Sequence, residues 1–115
     1  MGDIERLQEM VVKFRDERDW KQFHNPKDLA ISMVLEAGEV LEHFQWKTEE
    51  EQWNRIKSHK SDIADELGDV FYWLLLIAHD LNIDLEKAFT NKLAKSNEKY
   101  SVEKAKGNHI KYTEF

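Results

Sequence analysis

The chain has 115 residues, of which 41% are hydrophobic, and it contains one proline, four glycines and no cysteine. This composition predicts a single helical domain over residues 1–115 and excludes disulfides and thiolate zinc sites. The net charge of −6 argues against a nucleic-acid polymer as partner. The longest apolar run, residues 70–78, is shorter than the roughly 20 residues of a membrane span. With no apolar signal core at the N-terminus, we expect a soluble, cytoplasmic protein.

Apolar residues recur at helical spacing in four segments, which predicts an all-α antiparallel bundle of four main helices. The predicted helices span about residues 3–17, 28–44, 61–81 and 85–99. Asp3 and Asp84 are the predicted N-caps of the first and the last helix.

Three segments lie outside this pattern. Residues 18–27 are rich in aromatic side chains and hold Pro26, which predicts a loop. Residues 47–61 are very polar, with a short helix predicted near Glu49–Lys57. Residues 101–115 form a polar tail without a clear period.

Two stretches of the predicted second and third helices repeat the same pattern. Residues 35–40 read LEAGEV and residues 65–70 read DELGDV, so each holds two acids three positions apart around a glycine. Carboxylates in apolar surroundings are costly unless paired or bound to a metal, and a glycine inside a helix costs about 1 kcal/mol against alanine. A repeated pattern of costly residues points to a function.

The helical wheel places both acid pairs on the same shoulder of an apolar stripe. The stripe members are Leu29, Ala30, Met33, Val34, Ala37, Val40, Leu41 and Phe44 on one helix and Ile63, Ala64, Leu67, Val70, Phe71, Leu74, Ala78 and Leu81 on the other. Further apolar residues outside the stripes indicate helices that are covered on more than one side. Gly38 and Gly68 lie where a close helix contact would need them. The alternative is a set of solvated acids on two amphipathic helices.

Four converging carboxylates need a cation or raised pKa values. The four acids are Glu36, Glu39, Glu66 and Asp69. Their all-oxygen donor set favours Mg²⁺, with Mn²⁺ as a possible substitute, and Ca²⁺ is geometrically allowed. An aspartic-protease pair or a glycosidase pair fits less well, because each uses two acids.

Aromatic and basic residues flank the acids in sequence. Trp20 and Trp46 lie in polar loops and suit a stacking platform for a nucleobase. His24 fits either a helix cap or a base contact, and Trp73 either packing or ligand binding. Lys92, Lys95 and Lys99 share one face of the last helix, as phosphate ligands or as a solvated helix C-terminus favoured by the dipole.

Several stretches together resemble the MazG-like nucleoside triphosphate pyrophosphohydrolases. Besides the two acid pairs, they are FRDERDWKQFHNPKDLA (14–30), EAGEVLEHFQWK (36–47), ADELGDV (64–70) and KYTEF (111–115), which resemble the dCTP pyrophosphatase branch. The resemblance implies Mg²⁺-dependent hydrolysis between the α and β phosphates, giving a monophosphate and pyrophosphate. It also implies a homo-oligomer, a dimer or tetramer.

The resemblance further implies roles for single residues. Glu36, Glu39, Glu66 and Asp69 match the metal ligands, and Trp20, His24, Trp46 and Trp73 match residues that line the base and sugar pocket. Lys92 and Tyr100 match the phosphate side. Ser96 stands where the family pattern has asparagine, with Asn97 one position on, and Ser101 replaces a proline. Glu36 or Glu39 is the expected base for the attacking water, and the alternatives are a non-catalytic nucleotide- or protein-binding module and a purely structural helical dimer.

Overall fold

The structure of the protein, a computed structural model that describes residues 2–114, is built from α helices. They are α1 (Asp3–Glu17), α2 (Pro26–Glu42), α3 (Glu49–Asp80), α4 (Leu85–Lys99) and α5 (Val102–Ala105), with 3-10 turns at Lys21–Phe23 and Tyr112–Glu114. No strand occurs in this part of the chain, which confirms the all-α prediction. Phe115, the last residue of the KYTEF stretch, and Met1 lie outside the described residues.

The starts of the first two helices differ from the prediction. Gly2, and not Asp3, is the N-cap of α1, and Asp3 lies in the first turn, where its charge favours the helix dipole. The helix α2 begins at Pro26, two residues before the predicted start. Asn25 caps it, because its side-chain oxygen accepts a hydrogen bond from the Asp28 N–H at 2.9 Å. Proline suits this position since its missing N–H has no partner in a first turn.

The predicted short helix and third helix are one continuous helix, α3. Thr48 opens it with a capping box: its hydroxyl accepts from the Glu51 N–H, and the Glu51 carboxylate accepts from the Thr48 N–H at 3.0 Å. His59, with φ −130° and ψ 27°, interrupts the helical geometry. The predicted break near residue 60 is therefore a kink, and the polar residues on its N-terminal side stay helical.

The chain forms two compact units, one ending at Ile83 and one beginning at Asp84. In the second unit, Asp84 caps α4 by accepting from the Lys87 N–H at 3.0 Å, and the predicted bounds of this helix are confirmed. The tail holds α5 and a 3-10 turn where no period was visible. The single domain inferred from length and composition stays a prediction.

In the first unit, α3 packs against both α1 and α2. Contacts between α1 and α3 advance together along both helices, from Gln8 against the Leu75 carbonyl to Arg15 against Asp80. Contacts between the α2 segment and α3 run in opposite directions, from His24 against Trp73 to His43 against Glu66. The three helices therefore alternate in direction, up, down and up.

The core of this unit is smaller than the predicted stripes. Its buried apolar residues are Leu29, Leu75, Leu76 and Ala78. Leu75 and Leu76 lie outside the predicted stripe, whereas the stripe residues Val34, Leu41 and Leu67 are exposed, Leu67 by 54%. The apolar stripes therefore extend beyond the buried core of the first unit, because helical periodicity identifies an apolar face but not what covers it.

The predicted close helix contacts at the two motif glycines are also absent from the described residues. A Cβ atom built on Gly38 or Gly68 meets no atom within 4 Å. None of the helices within residues 2–114 has the length and apolar character needed to cross a bilayer.

Candidate functional site

A pocket of about 500 Å³ in the first unit joins acidic and aromatic side chains. It is lined by Met10, Val11, Phe14, Trp20, Glu36, Asp69, Tyr72 and Trp73. The two acids come from different copies of the duplicated motif, Glu36 from α2 and Asp69 from α3. The sequence indicated these acids and both tryptophans, but it indicated no site role for the other four residues. Met10, Val11 and Phe14 carried only the signal of an apolar helix face.

The electrostatics of the site centre on Glu36. Burial raises the pKa of the Glu36 carboxyl, and the charge and hydrogen bond of Glu39 raise it further, followed by the charges of Asp69 and Glu66. The Glu36 Oε2 atom is buried and has no hydrogen-bond partner within residues 2–114. The four acids therefore lie within electrostatic reach of one another.

The four side chains do not form a closed metal cage. Across residues 2–114, no group of three or more His, Asp or Glu side chains stands in a position to hold a metal ion. Glu39 and Asp69 are exposed. The donor set nevertheless fits a hard divalent cation, because all its donor atoms are oxygens and Glu36 Oε2 has no partner. The negative charges of the four carboxylates also repel one another, and a bound cation would relieve that repulsion. The assignment of the four acids as metal ligands stays a prediction.

Glu66 has a partner that the sequence did not indicate. Its Oε2 atom contacts Nε2 of His43, a residue that is only 6% exposed at the end of α2. On the other side of the imidazole ring, Arg55 Nε donates a hydrogen bond to His43 Nδ1 at 3.1 Å. The contact of His43 with Arg55 depends on how α3 passes α2.

The aromatic wall of the pocket is a set of edge-to-face contacts. Phe14 contacts Trp20 and Tyr72, with ring centroids 5.7 Å and 6.1 Å apart, and Tyr72 contacts Trp73 at 4.9 Å. Arg18 places its guanidinium 3.7 Å from the centre of the Phe14 ring. Burial raises the pKa of the Tyr72 phenol. Such a wall offers flat apolar faces next to the two acids.

His24 contacts this aromatic wall through Trp73. Its ring contacts Trp73 edge-on, with centroids 5.5 Å apart. Burial lowers the pKa of His24, the charge of Arg15 lowers it further, and Asp80 acts in the opposite direction. His24 Nδ1 is buried and finds no hydrogen-bond partner in the part of the chain that the structure describes. The lowered pKa favours the neutral imidazole, and its Nδ1 is an unused polar atom.

Trp46 stands apart from the other predicted pocket residues. It is 93% exposed, does not line the pocket and has a positive φ of 64°. A bulky residue in left-handed geometry is uncommon and marks a position fixed by its surroundings. Within its own chain, Trp46 has little surface to pack on.

The four predicted phosphate ligands, Lys92, Lys95, Lys99 and Tyr100, lie in the second unit. All four are exposed, the lysines on α4 and Tyr100 at its C-cap. Lys99 Nζ lies 4.8 Å from the centre of the Tyr112 ring, and Tyr100 contacts the same ring edge-on at 5.6 Å. Their role toward phosphate stays a prediction.

Comparison with known proteins gives consistent relationships. A sequence model of the MazG-like family matches residues 31–115. The chain is 34% identical over 113 residues to dCTP pyrophosphatase 1 of Rattus norvegicus and to that of Homo sapiens. Each alignment covers 96% of this chain and 66% of the relative, so the chain spans about two-thirds of the length of these proteins.

One solved structure shares the fold. The crystal structure of a pyrophosphatase from Archaeoglobus fulgidus superimposes with a TM-score of 0.82 and 32% sequence identity. The match covers 88% of this chain and 94% of the archaeal one, so it includes most of both molecules.

Proposed function

Because the chain belongs to the MazG-like family, we propose that it is a nucleoside triphosphate pyrophosphohydrolase. It hydrolyses the bond between the α and β phosphates and releases a nucleoside monophosphate and pyrophosphate. The observation that carries the proposal is the pocket in which Glu36 and Asp69 lie beside the faces of Trp20 and Trp73. An aromatic wall next to a carboxylate cluster suits a nucleobase joined to metal-bound phosphates.

Glu36, Glu39, Glu66 and Asp69 would hold the cation, Mg²⁺ or in its place Mn²⁺. When bound, it neutralises phosphate charge and lowers the pKa of a coordinated water. Glu36 or Glu39 would orient and deprotonate the attacking water. Hydrolysis of this kind depends mainly on positioning and electrostatics, so each acid matters.

The remaining predicted residues bind the substrate. Trp20 and Trp73 stack on the base, and His24, whose ring contacts Trp73, lies toward the base edge. Lys92, Lys95 and Lys99 offset the charge of the outer phosphates, and Tyr100 contacts the phosphate side. The substrate we propose is dCTP or a related pyrimidine deoxynucleotide, since the relatives are named dCTP pyrophosphatase 1. Removal of such nucleotides from the cytoplasmic pool would be its role in the cell.

We also propose that the enzyme works as a homo-oligomer. Val34, Leu41 and Leu67 form part of an apolar face that the first unit leaves exposed. Trp46 is 93% exposed and has a positive φ. A second copy of the chain would cover the apolar face and give Trp46 a surface to pack on, and with it a place in the base pocket.

The test is a panel of nucleoside triphosphates with Mg²⁺, including modified cytosines, in which monophosphate and pyrophosphate are both measured. We expect turnover of dCTP, its loss in Glu39→Ala and Asp69→Ala, and unchanged helicity in both variants. Glu42→Ala, which removes another exposed acid of α2, is the matched control and should stay active. Near-native activity of either site variant would refute the metal assignment. Tight nucleotide binding without turnover of any triphosphate would favour the non-catalytic module, and no effect of Mg²⁺ on thermal stability would favour the structural dimer.

A further inference from the structure

His43, at the C-terminal end of α2, contacts both halves of α3: Arg55 before the kink and Glu66 after it. We propose that His43, fixed by Arg55, is a positioning residue that holds the Glu66 carboxylate in the orientation needed to bind the divalent cation. The proposal rests on the metal-dependent function proposed above. It gives a role to His43 and Arg55, which lie outside the duplicated acid motif.

The hydrogen bond from Arg55 determines which nitrogen of the His43 ring carries the proton. Arg55 Nε is a donor in every state, so His43 Nδ1 must accept and carries no proton. The ring proton is therefore on Nε2, the atom that faces Glu66 Oε2. No other donor within residues 2–114 reaches this buried carboxylate oxygen.

The geometry of α3 makes this contact specific. Arg55 and Glu66 are eleven residues apart, which is about 16 Å along a straight helix. Their side chains nevertheless close on opposite nitrogens of one ring, and the kink at His59 lies between them. A buried polar side chain with both nitrogens engaged is a fixed element.

The consequence for the metal site concerns the free oxygen of Glu66. His43 engages Oε2, which leaves Oε1 for a cation, and it limits rotation of the carboxylate. Residues that hydrogen-bond to metal ligands orient them, and their loss typically costs 10–100-fold in metal affinity. The Glu66 side chain therefore loses its rotational freedom when the protein folds, and cation binding does not have to order it.

The experiment measures Mn²⁺ binding to the full-length protein without nucleotide, by the electron paramagnetic resonance signal of the free ion. His43→Leu keeps the bulk of the side chain but loses both nitrogens, and we expect its Mn²⁺ dissociation constant to rise about tenfold or more. His43→Gln retains an N–H donor toward Glu66 and should recover most of the affinity. His109→Leu, which removes an exposed histidine of the second unit, should bind Mn²⁺ as the native protein does.

Three results would overturn the proposal. One is a folded His43→Leu protein whose Mn²⁺ affinity is within about twofold of the native value. If the native protein still binds Mn²⁺ and releases pyrophosphate, the proposed function would stand. The second concerns the native protein alone and needs no variant to fold. Its imidazole ¹⁵N shifts should show His43 with the proton on Nε2, and a proton on Nδ1 would contradict the arrangement. A native protein that binds no Mn²⁺ would overturn the proposed metal site as well.

Discussion

Arg15 and Asp80 form a two-point ion pair that joins the C-terminal ends of α1 and α3. Arg15 Nη1 donates to Asp80 Oδ2 at 2.7 Å and Nη2 donates to Oδ1 at 3.0 Å, and the arginine is 1% exposed. The carbonyl of Arg15 also accepts from the Trp20 N–H at 3.1 Å, so the pair lies at the base of the loop that carries the pocket tryptophan. Its first effect is on stability.

Replacing Asp80 by asparagine should lower the free energy of unfolding by about 3 kcal/mol, because it leaves a buried guanidinium without a counter-charge. Urea denaturation followed by circular dichroism measures this loss. Asp16→Asn is the matched control: Asp16 lies 3.8 Å from Arg15 Nε but is exposed, so its loss should cost at most about 0.5 kcal/mol. Equal effects of the two substitutions would show that the ion pair carries no special stability.

The same pair should give the protein a characteristic response to acid. Burial raises the pKa of Asp80, but the hydrogen bonds from Arg15 and His79, together with their charges, outweigh burial and bring the pKa below its usual value. A carboxyl with a depressed folded-state pKa stabilises the protein above its unfolded pKa of about 3.9, and this stability is lost as pH falls through the folded-state pKa. The difference in unfolding free energy between native and Asp80→Asn should therefore be constant near neutrality and shrink below about pH 4. A difference that persists unchanged at pH 3 would contradict this assignment.

Glu36 should show the opposite linkage. Burial and then the charge of Glu39 raise its folded-state pKa, so its ionisation disfavours the metal-free folded state as pH rises through that pKa. Glu36→Gln should thus melt at a higher temperature than native at pH 7.5 without metal and at nearly the native temperature at low pH, while dCTP turnover is lost. Differential scanning calorimetry measures both melting temperatures. Glu42→Gln, an exposed substitution on the same helix, should leave the melting temperature unchanged at both pH values. A lower melting temperature for Glu36→Gln at pH 7.5 would show that the ionised carboxylate is stabilised by a partner.

Sequence patterns gave the local features of this structure and missed those that depend on tertiary contact. The Asp84 cap and the bounds of α4 follow from local signals, because a capping side chain bonds to the backbone three residues on. The register of the two acid motifs followed from helical geometry. The pocket roles of Phe14 and Tyr72 did not, since each side chain gains its surroundings from another helix. The Arg15–Asp80 pair is separated by 65 residues, and no pattern along the chain connects the two.

The pocket tryptophan Trp20 should contribute to substrate affinity. It is partly exposed on the pocket wall, so its removal leaves no cavity in the core. Stacking on a base is worth about 1–3 kcal/mol, so Trp20→Ala should raise KM for dCTP by roughly 5–150-fold with a small change in kcat. Steady-state pyrophosphate release measures both constants. Phe23→Ala removes a more exposed aromatic side chain of the same loop that does not line the pocket, and its KM should stay native. An unchanged KM in Trp20→Ala would exclude this ring from base stacking.

The exposed apolar face of α2 and α3 should be the contact between copies of the chain. Leu67 lies at the centre of the apolar stripe on α3 and is exposed in the single chain. A charge placed at the centre of an apolar interface is costly unless it is paired. We therefore expect Leu67→Glu to be a monomer at micromolar concentrations at which the native protein is a dimer or larger. Size-exclusion chromatography with light scattering gives both masses, and Lys57→Glu, on an exposed polar position of the same helix, controls for added negative charge. If Leu67→Glu kept the native mass, the copies would associate through another surface, and the exposed stripe would need a different explanation.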